Sequence, residues 1–360
     1  MKRIRLKKQK IGVDKRFLGL IIALTVIGLV TVADASAPQA LNSFDDKYYF
    51  FKQQIVWGAL GLVGLFVTSN IHYSFWKKIA TPLFFGSVIL LIAVLIPGVG
   101  QNFLGAKRWL ILGPISVQPS EIVKLTIILY IAKLAEKEKS SLAFFLPPFI
   151  VAGLIMLQPD LGTTIVVMGI AFSQILISGV NFLHMAGALA IGALSSLLLI
   201  ITSAYRRARL MTFLGQTQDP LGSDYHIRQI LLALGSGGLW GVGLGASRQK
   251  YLFLPEAATD SIFAVIAEET GFLGGSIIII LFFALIMTGI KIAKEAPDKF
   301  SQVLAVGIIS WISFQTILNV GSVVGLTPLT GVPLPFFSYG GSALTMLLIS
   351  TGILLNISKH

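Results

Sequence analysis

The chain has 360 residues, of which 55% are hydrophobic and 12% charged, with a mean hydropathy of +0.84. Soluble domains run at about 45–50% apolar and about 25% charged, so this composition excludes an ordinary water-soluble protein. With no cysteine and four histidines, disulfides, thiolate metal sites and cysteine nucleophiles drop out.

The formal net charge of +12 is unevenly placed. Residues 1–16 carry eight basic side chains: Lys2, Arg3, Arg5, Lys7, Lys8, Lys10, Lys15 and Arg16. The apolar stretch that follows has only a weak small-residue cleavage site at Asp34 to Pro38, so residues 1–16 read as a retained basic cytoplasmic tail rather than a secretory signal. A helix needs about 20 apolar residues to cross the hydrocarbon layer. Ten such runs follow, near 17–34, 53–69, 79–97, 119–135, 142–158, 162–179, 183–203, 261–291, 301–323 and 338–357. The backbone amides of each must be satisfied within the segment, which makes them helices. The expected fold is therefore an all-α polytopic membrane protein of about ten spans, a single transmembrane domain over 17–360.

Counted on this topology, one side holds 17 basic residues, the tail with Lys77, Lys78, Lys133, Lys137, Lys139, Lys291, Lys294, Lys299 and Lys359. The short loops of the other side hold four, Lys47, Lys52, Lys107 and Arg108. Positive charge stays inside, so both termini are expected in the cytoplasm. One large outward loop, 204–259, joins spans seven and eight; its Arg206, Arg207, Arg209, Arg228, Arg248 and Lys250 outnumber Asp219, Asp224 and Glu256. Its apolar stretch at 230–245 predicts ordered packing at the membrane surface, offering a basic platform to an anionic partner.

Ionisable groups in spans are costly and mark sites or pathways. Glu121 and Lys124 are three residues apart and able to pair on one helical face. Asp160, in QPDLGTT, either serves a site or caps the helix starting near Thr163. The strongest cluster is LPEAATDSIFAVIAEETGFLGG, where Glu256, Asp260, Glu268 and Glu269 crowd a stretch without a basic residue. Neighbouring carboxylates raise one another's proton affinity. Counting from Lys291 at about 1.5 Å per residue puts Glu268 and Glu269 near the outer interface, and a continuous helix puts Asp260 about 16 Å further out unless the chain breaks at Gly271, Gly274 or Gly275. On a helix Asp260, Phe263, Ala264, Ala267 and Glu268 share a face; capping by Thr259 or Asp260 is the competing reading. Gly241, Gly243 and Gly245 lack the strand–turn–helix setting of a nucleotide site. His72, His184, His226 and His360 lack metal-ligand spacing. The Pro- and Gly-rich run TPLTGVPLPFFSYGGSA, which contains Ser338, reads as an irregular segment lining a vestibule.

Several of these segments, GAKRWL at 105–110, QPSEIVKL at 118–125, QPDLGTT at 158–164, the run 235–274 and GVPLPFFSYGGSA at 331–343, together resemble the SEDS family (FtsW, RodA, SpoVE) of bacterial cell-wall proteins. The run from Leu244 to Glu269 looks more like FtsW than RodA. The resemblance implies a peptidoglycan glycosyltransferase in the bacterial cytoplasmic membrane that polymerises lipid II on the outer face, in division or elongation. It implies a class B penicillin-binding protein as transpeptidase partner, other division or elongation proteins around it, and no nucleic acid. It places the catalytic aspartate of the PEA-x-TD motif at Asp260. Ala258 stands where the family often has histidine and Ser261 where it often has phenylalanine; both bear on substrate fit.

On this reading Asp260 is the general base on an acceptor sugar hydroxyl, attacking the donor's anomeric carbon with inversion and displacing undecaprenyl pyrophosphate. Lys107, Arg108, Arg248 and Lys250 are the cations expected at the pyrophosphate. Glu121, Lys124, Asp160, Glu256, Glu268 and Ser338 complete the expected substrate-binding set. A divalent cation, Mg²⁺ or Mn²⁺, is suggested by the resemblance, with Asp260, Glu256, Glu268 and Asp160 as candidate ligands. The alternatives are a lipid II flippase or transporter, whose acidic groups belong near the midplane, and a non-catalytic scaffold.

Overall fold

A computed structural model of the chain describes residues 12–103, 106–113, 115–136, 141–213 and 223–360. The basic residues from Lys2 to Lys10, and Gly105, Lys137, Lys139 and Asp219, lie outside the described residues. In chain order the first half holds α1 (Lys15–Ala35), α2 (Ala37–Phe44), α3 (Tyr49–Asn70), α4 (Tyr73–Ala93), strands β1 (Gly100–Phe103), β2 (Ala106–Leu112) and β3 (Ile115–Val117), then α5 (Pro119–Ala135) and α6 (Ser141–Met156). The second half holds α7 (Leu161–Ser178), α8 (Phe182–Thr202), α9 (Ala204–Phe213), α10 (Ser223–Gly237), α11 (Ile262–Glu295), α12 (Lys299–Val323) and α13 (Gly341–Ser358).

Each of the ten expected spans falls on a helix: α1, α3 to α8 and α11 to α13. Eight of these are long and apolar enough to cross a membrane; α5, with 17 residues and a buried ion pair, and α6, with 16, are shorter. Side chains such as Phe66, Leu194 and Ile280 are exposed on the helices' outer faces, as a bilayer-facing surface requires. The protein is a polytopic helical membrane protein.

One feature departs from the expectation of helices joined by loops. The strands β1, β2 and β3 form a three-stranded antiparallel sheet, in the order β1-β2-β3, between α4 and α5. Strands this short carry too little periodic signal to stand out between long apolar runs. Within the loop 204–259 lie α9 and α10, and Ile230 and Ala233 of α10 are buried, in line with the ordered packing expected at 230–245.

The two ends of the bundle are distinct. Asp14 caps α1 by accepting from the amides of Arg16 and Phe17, and its own amide donates to Ser358 Oγ at the end of α13 (3.1 Å). At the same end Tyr73 donates to Asp298, the cap of α12 (2.7 Å), and Lys77 pairs with Glu136. The opposite end gathers α2, the sheet, α9, α10 and the irregular segments 238–261 and 324–340. Polar side chains join the helices between: Thr68 donates to the Ile349 carbonyl (3.0 Å) and Thr345 to that of Trp57 (3.1 Å), tying α3 to α13. Such interhelical bonds and close packing replace the hydrophobic effect inside lipid.

Helix α11 is broken. Gly271, at φ 67° and ψ −170°, separates a short outer piece from the long inner one. The amides of Val242 and Gly243 donate to the carbonyls of Glu268 (3.0 Å) and Glu269 (3.1 Å), while those of Phe272 and Leu273 donate to Gly238 (2.9 Å) and Leu239 (3.2 Å). Segment 238–243 thus satisfies both sets of backbone groups that the break releases. The continuous-helix estimate that sends Asp260 about 16 Å outward is corrected accordingly. Asp260 is instead tethered to Asn319, four residues before the end of α12, so its main chain lies about one turn below that end.

A Cβ at Gly271 would collide with the Gly241 amide and the Leu239 carbonyl, in a backbone region open essentially to glycine. Gly271→Ala is expected to lower stability by about 2–4 kcal/mol. Thermal unfolding of the purified protein in detergent checks this; an unchanged midpoint contradicts it.

Candidate active site

Asp260 sits where two segments far apart in sequence meet. On its own side, residues 255–261 form a tight turn: the amides of Thr259 and Ser261 both donate to the Glu256 carbonyl (3.1 Å each), and Thr259 Oγ1 donates to Glu256 Oε2 (2.7 Å). Glu256 holds φ 51°, a strained value for a side-chain-bearing residue. From the other side, Ser338 Oγ donates to the Thr259 carbonyl (2.6 Å) and the Tyr339 amide to that of Ala258 (2.8 Å). Asn319 Nδ2 bridges the carbonyls of Asp260 (2.8 Å) and Val332 (2.9 Å). Gln54 of α3 fixes the same segment through Ser338 O and the Gly340 amide, each at 3.2 Å.

These bonds grip the main chain. The N-cap of α11 is Ser261, one residue beyond Asp260. The carboxylate faces Gly331, at φ +71°, where a Cβ would come within 3.3 Å of Oδ2. Close by in sequence, Thr327 Oγ1 and Thr330 Oγ1, with Asn319 Oδ1, are buried without a hydrogen-bond partner.

Asp160 is one layer away and does cap a helix. It accepts from Thr163 N and Thr163 Oγ1, both at 3.0 Å, at the start of α7. A Cβ on Gly162 would collide with the Thr330 carbonyl and lie 2.6 Å from Val332 Cγ2, so the N-terminus of α7 abuts the segment facing Asp260. Arg108 of β2 donates to the carbonyls of Gln158 (3.0 Å) and Pro159 (2.6 Å), with Nη1 3.8 Å from the Asp160 carboxylate. The sheet is thereby stapled over the entrance to α7.

The sequence matches the family FTSW_RODA_SPOVE, described as "Cell cycle protein", over residues 15–360. The chain belongs to the FtsW/RodA/SpoVE family. It is 42% identical over 360 residues to stage V sporulation protein E of Bacillus subtilis, covering 98% of each. It is 40% identical over 353 residues to the "probable peptidoglycan glycosyltransferase FtsW" of Trichlorobacter lovleyi, covering 96% of this chain and 93% of that one. Among solved structures it resembles a chain of a peptidoglycan synthase complex that coordinates polymerization and crosslinking, with TM-score 0.79, 28% identity and 96% and 97% of the two chains covered. Rod shape determining protein RodA of Thermus thermophilus superposes with TM-score 0.71 at 28% identity, over 96% of each chain.

Within this FtsW/RodA/SpoVE fold the remaining nominated residues separate into different places. Glu268 does not line up with Asp260 down one wall: α11 begins after Asp260, and Glu268 faces the preceding loop. Its carboxylate accepts from the Arg248 amide (3.0 Å), the Gln249 amide (3.4 Å) and Ser247 Oγ. Glu269 accepts from the amides of Gly245 (3.0 Å) and Ser247 (3.1 Å) and from Lys250 Nζ (2.8 Å), which also reaches Asp34 of α1 (2.6 Å). The stretch itself contains no basic residue, and Lys250, just outside it, supplies the partner of Glu269. Lys250 is buried in this pair, and its ammonium is spent on structure rather than offered outward. Burial alone would lower its pKa, but hydrogen bonds to Asp34 and Glu269 outweigh that and hold it above the usual lysine range.

Glu121 and Lys124 pair at 2.7 Å inside the bundle, with Nζ 4.9 Å from the Trp311 ring centroid; one Glu121 oxygen, Oε2, is buried without a partner. Arg248 is exposed and Lys107 half-exposed. Among the described residues no group of three or more His, Asp or Glu could hold a metal ion. No three of Asp260, Glu256, Glu268 and Asp160 therefore come together. Thr330 and Gly331 lie in the run read as lining a vestibule, whereas Asn319 and Gln54 are neutral amides that charge alone does not mark; a polar side chain within a span was the available signal.

Lys250→Met removes the partner of two carboxylates, and is expected to cost about 3 kcal/mol. A lysine whose folded pKa is raised contributes its full stabilisation below about pH 10.4 and loses it as pH rises through the folded value. The gap in unfolding midpoint between wild type and Lys250→Met should hold from about pH 7 to 9 and narrow only above the usual lysine pKa of about 10.4. A gap that closes by neutral pH contradicts the assignment.

Proposed function

We propose that the protein is a peptidoglycan glycosyltransferase that extends glycan strands from lipid II, with Asp260 as general base. The observation that carries the reading is the construction around Asp260: its main chain is clamped by Asn319, and its neighbours' by Ser338 and the Tyr339 amide. Its carboxylate points at a glycine that leaves space, beside partnerless buried oxygens of Thr330 and Asn319. A base held through its backbone keeps its direction while its side-chain oxygens serve a substrate. The names of relatives, a probable peptidoglycan glycosyltransferase among them, agree with this chemistry.

In the reaction the acceptor sugar hydroxyl gives its proton to Asp260 as its oxygen bonds to the donor's anomeric carbon. The bond from that carbon to the pyrophosphate oxygen breaks, and its electron pair leaves with undecaprenyl pyrophosphate, inverting the centre. A positioned base supplies about 10²–10⁴-fold. The rest falls to cations stabilising the departing pyrophosphate, for which exposed Arg248 and half-exposed Lys107 remain, Arg108 and Lys250 being engaged in the fold. The positive-inside rule supports cytoplasmic termini and hence a site on the outer face of the cytoplasmic membrane. Likeness to a chain of a peptidoglycan synthase complex supports a transpeptidase partner of the class B penicillin-binding type. Residues 17–360 act as one catalytic unit on this view, and the higher identities to sporulation and FtsW relatives favour septum-type synthesis over elongation.

Asp260→Asn keeps the shape and removes the base. With fluorescent lipid II in nanodiscs, polymer formation is expected to fall by about 10²–10⁴-fold while the unfolding midpoint stays near wild type. Retained polymerisation refutes the base assignment. Movement of lipid II across vesicles without polymer makes the protein a transporter instead.

A further inference from the structure

A helix that begins at serine ordinarily uses the hydroxyl to accept a hydrogen bond from an amide of its own first turn. Ser261 is the N-cap of α11 and makes no such bond. Its Oγ lies instead 2.7 Å from Nε2 of His226, on α10. Ser261 is 1% exposed, so the hydroxyl is shielded from water that would compete for the contact. With the proton on Nε2 the imidazole donates, and without it the hydroxyl donates; either tautomer preserves the link.

Residue 261 directly follows Asp260. The other bonds described for this turn, from Asn319, Ser338 and the Tyr339 amide, come from α12 and the segment after it. The His226 bond reaches the same turn from α10. A side chain that gives up its expected local bond for a long-range one, next to a functional carboxylate, is the kind of local-rule violation found at functional sites.

We propose that His226 is a positioning residue for Asp260: by holding the Ser261 hydroxyl off the helix, it sets the first turn of α11 and thereby the direction of the carboxylate one residue before. The proposal rests on the assignment of Asp260 as general base. It predicts that α10 is coupled to turnover through the Ser261 hydroxyl.

The test uses the full-length protein, purified with its bound partners into nanodiscs, and initial rates across lipid II concentrations. His226→Ala is expected to lower kcat by about 10- to 100-fold, the scale of a displaced catalytic group, with KM changed by less than about two-fold, since ground-state binding is untouched. His226→Gln, whose carboxamide can still reach the hydroxyl, should recover most of that loss. Ser261→Ala should match His226→Ala, and the double variant should be no worse than either single one, because both remove the same bond. Wild-type kcat in His226→Ala, a loss confined to KM, or single losses that multiply in the double variant would overturn the proposal. Should His226→Ala fail to fold, Ser261→Ala, which deletes one oxygen, decides alone: unchanged kcat overturns the proposal. A wild type that makes no polymer refutes the glycosyltransferase reading itself, whereas an active wild type with an unimpaired Ser261→Ala refutes only the role of His226.

Discussion

Breaking a helix inside or beside a bilayer exposes amides and carbonyls that lipid cannot satisfy, so a break persists only where another piece of chain supplies their partners. At Gly271 that partner is segment 238–243, which meets the two carbonyls before the break and the two amides after it. Everything at the end opposite the termini follows from this exchange. It lets the outer piece of α11 depart from the line of the long inner piece and brings Asp260 back to the last turn of α12 rather than carrying it away from the bundle.

The same loop is secured a second time by charge. Glu268 and Glu269 each take backbone amides from residues 245–249, and Lys250 closes the set by reaching both Glu269 and Asp34. Removing two carboxylates from water is costly unless such donors replace the solvent. The arrangement therefore makes the loop and the outer half of α11 one unit, joined to α1. Residues 251–260 leave this unit and arrive at the turn held by Asn319, Ser338 and Tyr339, so the aspartate is defined from both directions.

Around that turn the QPD segment, the sheet and the Pro- and Gly-rich segment form successive layers. Arg108 holds the carbonyls before Asp160, Asp160 starts α7, and Gly162 allows α7 to press on Thr330 beside Gly331. Residues that a charge-based reading assigns to substrate, such as Asp160, Glu268 and Lys250, thus act as supports. Gly331 lies against the Asp260 carboxylate, and Asn319 holds its main chain. The main chain on both sides of Asp260 is thus fixed by neutral donors.

Ten apolar runs, their spacing and the asymmetry of Lys and Arg were enough to establish a polytopic helical protein and the parity of its termini, because crossing a bilayer imposes a length and a composition on each segment independently of its neighbours. Asp260 was legible as well, since a carboxylate beside a span stands out against an apolar background. Local pairing was legible, as between Glu121 and Lys124, but pairing between distant segments was not. That Lys250 neutralises Glu269, that Asn319 grips Asp260 from 59 residues away, that His226 takes the Ser261 hydroxyl, and that β1, β2 and β3 form a sheet all depend on segments meeting in space. A hydrogen bond has no signature in one strand of sequence until the fold supplies its other half, and at the break in α11 the fold chose one glycine of three by offering partners there alone among the described residues.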